Sequence, residues 1–147
     1  SDQDTIVKEI IINAPAHRIF TALTDPAQRV KWWGVPGKFQ TTHMESDLRP
    51  GGAWLMSGSG MGGAPFTFRG EYRAIESPRL LEFTWLHEAP GTSLLTTVRF
   101  DLIENGGVTT VRLTHSGLST EQSRQHFQGW PWLLQLLKGH VETPASN

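Results

Sequence analysis

A chain of 147 residues, 37% hydrophobic and 18% charged, is long enough for one domain with its own apolar core, and we treat residues 1–147 as a single domain. Its 13 basic and 14 acidic residues give a formal charge of −1, which argues against a nucleic-acid-binding protein, and the lack of cysteine excludes disulfides, thiol catalysis and thiolate metal sites. The sequence shows no apolar stretch of membrane-spanning length and no signal-peptide core near its start, so we expect a cytoplasmic protein without membrane insertion.

The first 34 residues predict one strand and two short helices. Residues 5–12 are mostly β-branched, which is typical of a strand. The next segment carries apolar residues at helical spacing, and Pro26 ends that helix because the residue before a proline avoids the helical region. A second helix follows over residues 26–33. We expect it to end at Gly34, in the left-handed conformation that glycine often adopts at helix C-termini.

From about residue 38 the hydrophobic pattern changes to a period of two, which predicts strands. Six such segments follow one another up to residue 116, separated by the turn sequences RPGG, ESPR, APGT and NGG and by a glycine-rich run. Within NGG, Asn105-Gly106 is a strong hairpin signal. Because the strands are joined by short turns, they are predicted to form an antiparallel sheet.

The glycine-rich run SGSGMGGAPF, residues 57–66, contains the spacing of a dinucleotide-binding fingerprint at Gly58, Gly60 and Gly63. A nucleotide site of that kind requires a helix after the glycines, since the pyrophosphate binds at a helix N-terminus. Here residues 64–68 alternate as in a strand. We therefore interpret the run as the tip of a hairpin and expect neither a nucleotide nor any other cofactor.

The C-terminal segment returns to helical periodicity. Ser119 begins the sequence STEQ, which fits an N-terminal capping box. Apolar residues then recur on one face of a predicted long helix, at Phe127, Trp130, Leu134, Leu137 and Val141. Gly129 and Pro131 interrupt this stretch and predict a kink or a fresh helix start there.

Five sequence stretches, taken in order, resemble one family. They are IVKEIIINAPAHRIFTALTDPAQRVKWWG, DLRPGG, ESPRLLEFTW, TTVRLTHSGL and GWPWLLQLLKGHVE, and they extend from about Ile6 to Glu142. In these stretches the chain is similar to the AHSA-type branch of the START-like (SRPBCC) superfamily, which is named for an activator of a heat-shock chaperone ATPase. The resemblance implies an α+β helix-grip fold, in which a curved antiparallel sheet wraps around a long C-terminal helix and two short helices follow the first strand. It also implies an apolar cavity between the sheet and the helix.

Strand alternation predicts, independently of the resemblance, which side chains line the concave face of the sheet. Residues 81, 83 and 85 share one side of their strand, as do 98, 100 and 102, and 111, 113 and 115. A concave pocket lined by aromatic side chains is the usual form of a small-molecule site. The candidate ligand-binding residues are Trp32, Trp54, Met56, Phe68, Tyr72, Phe83, Trp85, Phe100, His115, Phe127, Trp130 and Leu134.

His115 is the one candidate for acid–base catalysis, although a histidine on an apolar face is more often a hydrogen-bonded core residue. The six histidines show neither H-x-H nor helical i, i+4 spacing, and no G-x-S-x-G motif is present, so we expect no metal site and no serine triad. Trp32 and Trp33 end the second helix with their side chains about 100° apart. Either one ring packs while the other forms a gate at the cavity mouth, or both belong to the core.

Three functions are consistent with the resemblance and with the candidate residues. The first is binding of a hydrophobic or aromatic small molecule in the cavity under the C-terminal helix. The second is an enzyme of the same fold, a cyclase or a hydrolase, that uses a pocket group such as His115. The third is a co-chaperone that stimulates a chaperone ATPase, with the chaperone as its partner. A strand edge or the Trp32-Trp33 region would also suit a homodimer.

Overall fold

One antiparallel sheet forms the frame of the protein. The computed structural model describes residues 5–35, 39–60, 63, 65–89, 92–118, 121 and 130–142. In this part of the chain the elements are β1 (Ile6–Ile12), α1 (Ala16–Thr24), α2 (Pro26–Trp32), β2 (Gly34–Val35), β3 (Phe39–Ser46), β4 (Ala53–Ser59), β5 (Pro65–Glu76), β6 (Leu80–Ala89), β7 (Thr92–Asn105), β8 (Val108–Ser116) and α3 (Trp130–Glu142). The strand order is β1-β8-β7-β6-β5-β4-β3-β2. The predicted α+β helix-grip fold with a curved antiparallel sheet is confirmed.

The connection between β1 and β2 crosses the sheet from one edge to the other. From β2 to β8 each strand pairs with its neighbour in sequence, whereas β1 pairs with β8 at the opposite edge. Helices α1 and α2 make this crossing, and α3 packs against β1 and against both of them. The three helices therefore lie together on one face of the sheet, as the two-layer arrangement of an α+β domain requires.

Proline and aspartate set the boundary between α1 and α2. Helix α1 ends at Thr24, one residue before the Asp25-Pro26 pair, as predicted. The Asp25 carboxylate accepts a hydrogen bond from the Ala27 N–H at 3.0 Å and so caps α2, while Pro26 occupies a first-turn position where no N–H is needed. The prediction for Gly34 is wrong. Its φ is not positive, because the chain passes from Trp33 directly into the extended conformation of β2.

The glycines of the turns behave as the sequence predicts. Gly106 and Gly107 have φ values of +65° and +83° and form the two-residue loop between Asn105 and Val108, which face each other in the β7–β8 register. Positive φ at both loop positions gives the twist that a tight hairpin needs, and glycine adopts it without steric cost. Gly51 in the RPGG turn has a φ of +85°.

The strands on either side of the glycine-rich run, β4 and β5, pair as a hairpin, as predicted. Ser59 pairs with Pro65, and the segment after the glycines is strand β5. The presence of glycine at position 58 has a separate structural reason. A Cβ at this position would lie 2.0 Å from the carbonyl oxygen of Gln40, next to the irregular register between Thr41 and His43 on β3. Glycine is therefore required by the close approach of two strands.

The concave face of the sheet and the apolar face of α3 form the core. The inner positions predicted from alternation on β6, β7 and β8 are all buried. On α3, the buried side chains are Trp130, Leu134, Leu137 and Val141, which are four of the five residues in the predicted stripe. Phe127, the fifth, lies outside the described residues, as do the predicted cap at Ser119 and the predicted interruption at Gly129.

Candidate functional site

Trp85 on β6 is the centre of an aromatic cluster on the concave face of the sheet. Its ring centroid lies 5.8 Å from that of Trp33, 5.3 Å from Trp54, 5.0 Å from Phe68 and 6.1 Å from Trp130. The rings are tilted or perpendicular to one another, which is the arrangement that their quadrupoles favour. Elements β4, β5, β6, α3 and the residue that follows α2 each contribute one of these five rings. The cluster therefore fixes the positions of α3 and of the end of α2 on the sheet.

Trp130 joins α3 to this cluster at several points. Its ring makes perpendicular contacts with Trp33 at 5.6 Å and with Phe100 at 6.1 Å, in addition to its contact with Trp85. Only 2% of its surface is exposed. Phe100 in turn stacks on Phe83 at 6.2 Å. Through Trp130, the first turn of α3 is bound to the middle strands of the sheet.

His115 is held in a chain of hydrogen bonds beneath Trp130. The Trp130 indole Nε1–H donates to His115 Nδ1 at 3.0 Å, and His115 Nε2 lies 2.7 Å from Thr96 Oγ1. The Thr96 hydroxyl donates to the Trp85 carbonyl oxygen at 3.0 Å, so it accepts from the imidazole. These bonds select the neutral tautomer with its proton on Nε2. His115 is 0% exposed and both of its ring nitrogens are engaged, so its surroundings match those of a satisfied core histidine.

Trp54 fills the space left by a glycine on the neighbouring strand. A Cβ at Gly70 would lie 1.8 Å from the Thr84 carbonyl oxygen and 2.8 Å from Trp54 Nε1. In the absence of that Cβ, the Trp54 indole donates a hydrogen bond to the same Thr84 carbonyl at 3.1 Å. The Thr84 hydroxyl accepts from the Glu71 N–H at 2.9 Å. Side chains therefore replace ladder bonds between β5 and β6 at this point, where the two backbones approach each other closely.

The remaining candidate side chains lie on the same face at different depths. Met56, Tyr72, Phe83 and Leu134 are buried, while Phe68 is half-buried beside Trp85. The Tyr72 hydroxyl lies 2.6 Å from Ser46 Oγ. Of the twelve candidates, eleven are therefore on or beside the core cluster, and Phe127 is outside the described residues.

The Trp pair at the end of α2 matches the second of the two alternatives left open by the sequence, in which both rings belong to the core. Trp32 is 5% exposed and Trp33 is 3% exposed, so neither ring lies open at a cavity mouth. Trp32 faces α1, where its Nε1–H donates to the Ala22 carbonyl at 2.8 Å. Trp33, which the sequence analysis did not select, is the ring that contacts Trp85 and Trp130. The cause is that Trp33 follows the last helical residue and turns inward with the chain.

Arg29 is a second residue that the sequence analysis missed. It is only 3% exposed, and its guanidinium carbon lies 4.4 Å from the centroid of the Trp33 ring. Its Nη1 donates to the Leu23 carbonyl at 2.8 Å, at the C-terminal end of α1. Burial lowers the pKa of Arg29 to about 10, so the side chain still carries its charge at neutral pH. The sequence signal available for it was its helical spacing from the two tryptophans, since Arg29 precedes Trp32 by three residues and Trp33 by four.

The outer face of the sheet carries an open groove of about 640 Å³ above the irregular pairing of β5 with β6. Leu55, Leu86 and Leu95 supply apolar walls, and Glu45 and Arg69 lie among the charged residues around it. Leu95 is 55% exposed. Trp54, a member of the aromatic cluster, also lines the groove.

Neither a metal-binding cluster nor a membrane-spanning helix is found among the described residues. In the ranges that the structure describes, no group of three or more His, Asp or Glu side chains is placed to hold a metal ion. The helices found in those ranges are too short or too polar to cross a bilayer.

The chain is similar to one described family and to several solved structures. The model of the family described as Activator of Hsp90 ATPase homolog 1-like protein (AHSA1) matches residues 13–142. No curated protein matches the chain significantly. Protein CV1439 from Chromobacterium violaceum superposes with a TM-score of 0.85 at 23% identity, over 95% of this chain and 98% of that one.

Two further solved structures give the same result. Protein NE0264 from Nitrosomonas europaea superposes with a TM-score of 0.81 at 18% identity, over 97% of this chain and 96% of that one. The AHSA1-like protein from Aeromonas hydrophila has a TM-score of 0.79 at 25% identity, over 94% of this chain and 92% of that one. The shared fold therefore extends over nearly the whole of each chain.

Proposed function

Because the chain belongs to the Activator of Hsp90 ATPase homolog 1-like family of the START-like superfamily, whose domains typically bind ligands or regulate a chaperone ATPase, we propose that it binds a hydrophobic or aromatic small molecule. The site is the apolar inner face of the sheet, between the strands and α3. It uses the predicted residues around Trp85 together with Trp33.

One observation carries this proposal: a continuous path of ring contacts leads from half-buried to fully buried side chains. Phe66 lies 5.1 Å from Phe68, Phe68 lies 5.0 Å from Trp85, and Trp85 lies 6.1 Å from Trp130. Phe66 and Phe68 are half-buried and lie near the tip of the β4–β5 hairpin, whereas Trp85 and Trp130 are 1% and 2% exposed. A flat apolar ligand that enters at Phe66 and Phe68 would replace the contacts between neighbouring rings with its own, one ring after another along this path.

The size of the ligand follows from the cost of association. Burying apolar surface contributes about 25 cal/mol per Å², so a single ring of about 150 Å² gains about 4 kcal/mol. That gain is no larger than the low end of the cost of association, which is about 4–15 kcal/mol. A ligand with at least two fused rings, or an acyl chain of comparable area, is therefore required for useful affinity.

Tryptophan fluorescence tests the proposal directly. We would titrate the wild type with 2-naphthamide and with decanamide, and in parallel titrate Phe68→Ala and Ile103→Ala. Ile103 is 50% exposed on the outer face of β7 and serves as the matched control. We expect saturable quenching in the wild type and in Ile103→Ala, and a weakening of about tenfold in Phe68→Ala, the loss expected for a truncated aromatic contact.

Several results would contradict the proposal. A wild type that shows no saturable response to either probe, and that carries no small molecule in native mass spectrometry after purification, would refute it. Equal affinities in Phe68→Ala and Ile103→Ala would show that the ligand binds elsewhere.

The other two functions give different outcomes in the same preparation. An enzyme that uses His115 would lose turnover in His115→Gln, yet both ring nitrogens of His115 are occupied in the core, so we rank this function lower. A co-chaperone would stimulate a chaperone ATPase without any response to the two probes. A homodimer through a strand edge and a cytoplasmic location stay predictions.

A further inference from the structure

Arg29 carries a buried positive charge with few polar partners. A guanidinium has five N–H donors, and in the described part of the chain the hydrogen bond from Nη1 to the Leu23 carbonyl is its one hydrogen bond. Nε is buried there without a hydrogen-bond acceptor. Nε and Nη2 form the edge of a guanidinium that suits a bidentate oxyanion, and within the described residues Nε on that edge has no hydrogen-bond acceptor.

The groups around Arg29 reduce the cost of its burial without neutralising its charge. The indole of Trp33 at 4.4 Å and that of Trp32 at 5.7 Å provide cation–π contacts, and the Leu23 carbonyl belongs to the negative end of α1. The acidic group that acts on Arg29 is the Tyr72 phenol. Burial raises the pKa of Tyr72, so this phenol is neutral at neutral pH.

Arg29 is also adjacent to the proposed ligand site. The Trp33 ring contacts the Arg29 guanidinium. The same ring lies 5.8 Å from the Trp85 ring and 5.6 Å from the Trp130 ring. The Arg29 guanidinium is therefore separated from Trp85, the centre of the aromatic cluster, by the single ring of Trp33. Tyr72, which interacts electrostatically with Arg29, contacts Phe83 of the same cluster at 6.3 Å.

We infer that Arg29 anchors the anionic end of the ligand, and that the ligand is a carboxylic acid with a polycyclic aromatic or long aliphatic body. The inference rests on the proposed function and specifies its ligand class. The carboxylate accepts hydrogen bonds from Nε and Nη2, while the apolar body extends past Trp33 toward Trp85.

A carboxylate fits this position better than a phosphate does. It carries one negative charge, which balances the single guanidinium, and its two oxygens match the spacing of two parallel N–H donors. A phosphate monoester carries almost two charges at neutral pH, and the second would be buried without a counter-ion. No other lysine or arginine side chain in the described residues is as deeply buried as Arg29.

The test compares acids with their amides, which have nearly the same shape and no charge. Isothermal titration calorimetry at pH 7 would measure the dissociation constants of 2-naphthoate against 2-naphthamide and of decanoate against decanamide. We expect the wild type to prefer each acid by about tenfold or more, as a charge-assisted bidentate contact implies. Arg29→Met should bring the acid-to-amide ratio close to one, and Arg29→Lys should leave an intermediate ratio because it keeps the charge but loses the second donor.

Lys31→Met is the matched control. It removes one positive charge from an exposed position of the same helix, so its preference for the acid should stay as in the wild type. Circular dichroism and thermal unfolding of each variant would show that the fold is kept. If Arg29→Met does not fold, Arg29→Lys alone decides the question through its ratio.

The outcomes separate this inference from the proposed function. If the wild type binds acids and amides equally well, or if Arg29→Met keeps the preference for acids, Arg29 is only a cap on α1 and the inference is wrong while the proposed function stands. If neither acids nor amides bind, both are wrong. A ratio that falls equally in Lys31→Met and Arg29→Met would reflect net charge and would also overturn the inference.

Discussion

His115 and Trp130 join β8 to α3 through one hydrogen bond, which the Trp130 indole Nε1–H donates to His115 Nδ1 at 3.0 Å. Their rings lie 5.9 Å apart at 70°, so the polar bond and the ring contact act on the same pair. Thr96 on β7 holds the other side of the imidazole. A buried polar group in an aromatic core thus has a structural purpose here, because it links three elements: its own strand β8, β7 and α3.

Removing the indole N–H of Trp130 should destabilise the fold. In Trp130→Phe the buried Nδ1 of His115 loses its donor, which costs about 1–3 kcal/mol. Trp132→Phe, on the same helix but at a position with 42% exposure, should change the free energy of unfolding by less than about 0.5 kcal/mol. Urea denaturation at pH 7 measures both, and equal effects of the two substitutions would argue against the hydrogen bond as the cause.

Two glycine substitutions should have opposite effects. Gly70→Ala would place a Cβ 1.8 Å from the Thr84 carbonyl and displace the Trp54 indole, so we expect a loss of about 3 kcal/mol. Gly139→Ala on α3 meets no atom within 4 Å and should stabilise the protein by about 0.5–1 kcal/mol, since alanine is the better helix former. Thermal unfolding of both variants tests the pair. A Gly70→Ala variant as stable as the wild type would contradict the account of Trp54.

His140 predicts a dependence of stability on pH. Desolvation, Lys31 and Arg18 lower the pKa of His140, so the folded protein binds its proton less readily than the unfolded chain does. Its contribution to stability is therefore complete above the ordinary histidine pKa of about 6.5 and is lost as the pH falls through the folded value. His140→Gln should lose less stability than the wild type between pH 7.5 and pH 5 in urea titrations. Parallel stability curves for the two proteins would show that His140 does not contribute.

Features that depend on local chemistry could be predicted from the sequence. Period-two segments identified the strands, and Gly106 and Gly107 adopt positive φ because a tight hairpin needs it. The alternation after Gly63 predicted a strand there, and β5 occupies that position. The four described residues of the apolar stripe on α3 are all buried, since a 3.6-residue period determines which face meets the sheet.

Features that depend on one residue of register or on tertiary packing were missed. Trp33 was overlooked because a shift of one position at the end of α2 decides which of two adjacent rings faces the cluster. Gly34 was assigned a cap that the chain does not need, since β2 begins there. Arg29 reads as a surface residue of a short helix, and its burial arises only when α1 and Trp33 close over it.

The pairing of β1 with β8 has a consequence for how the chain folds. Ile6 faces His115 in the register, and Lys138 on α3 donates to the Ile11 carbonyl at 2.9 Å. Contacts between residues more than a hundred positions apart carry a large loop-closure entropy and slow the folding rate. During synthesis, β1 emerges from the ribosome before the other strands of this sheet, and its partner β8 (Val108–Ser116) emerges after them. The isoleucines of β1 therefore stay unpaired while the intervening hairpins form.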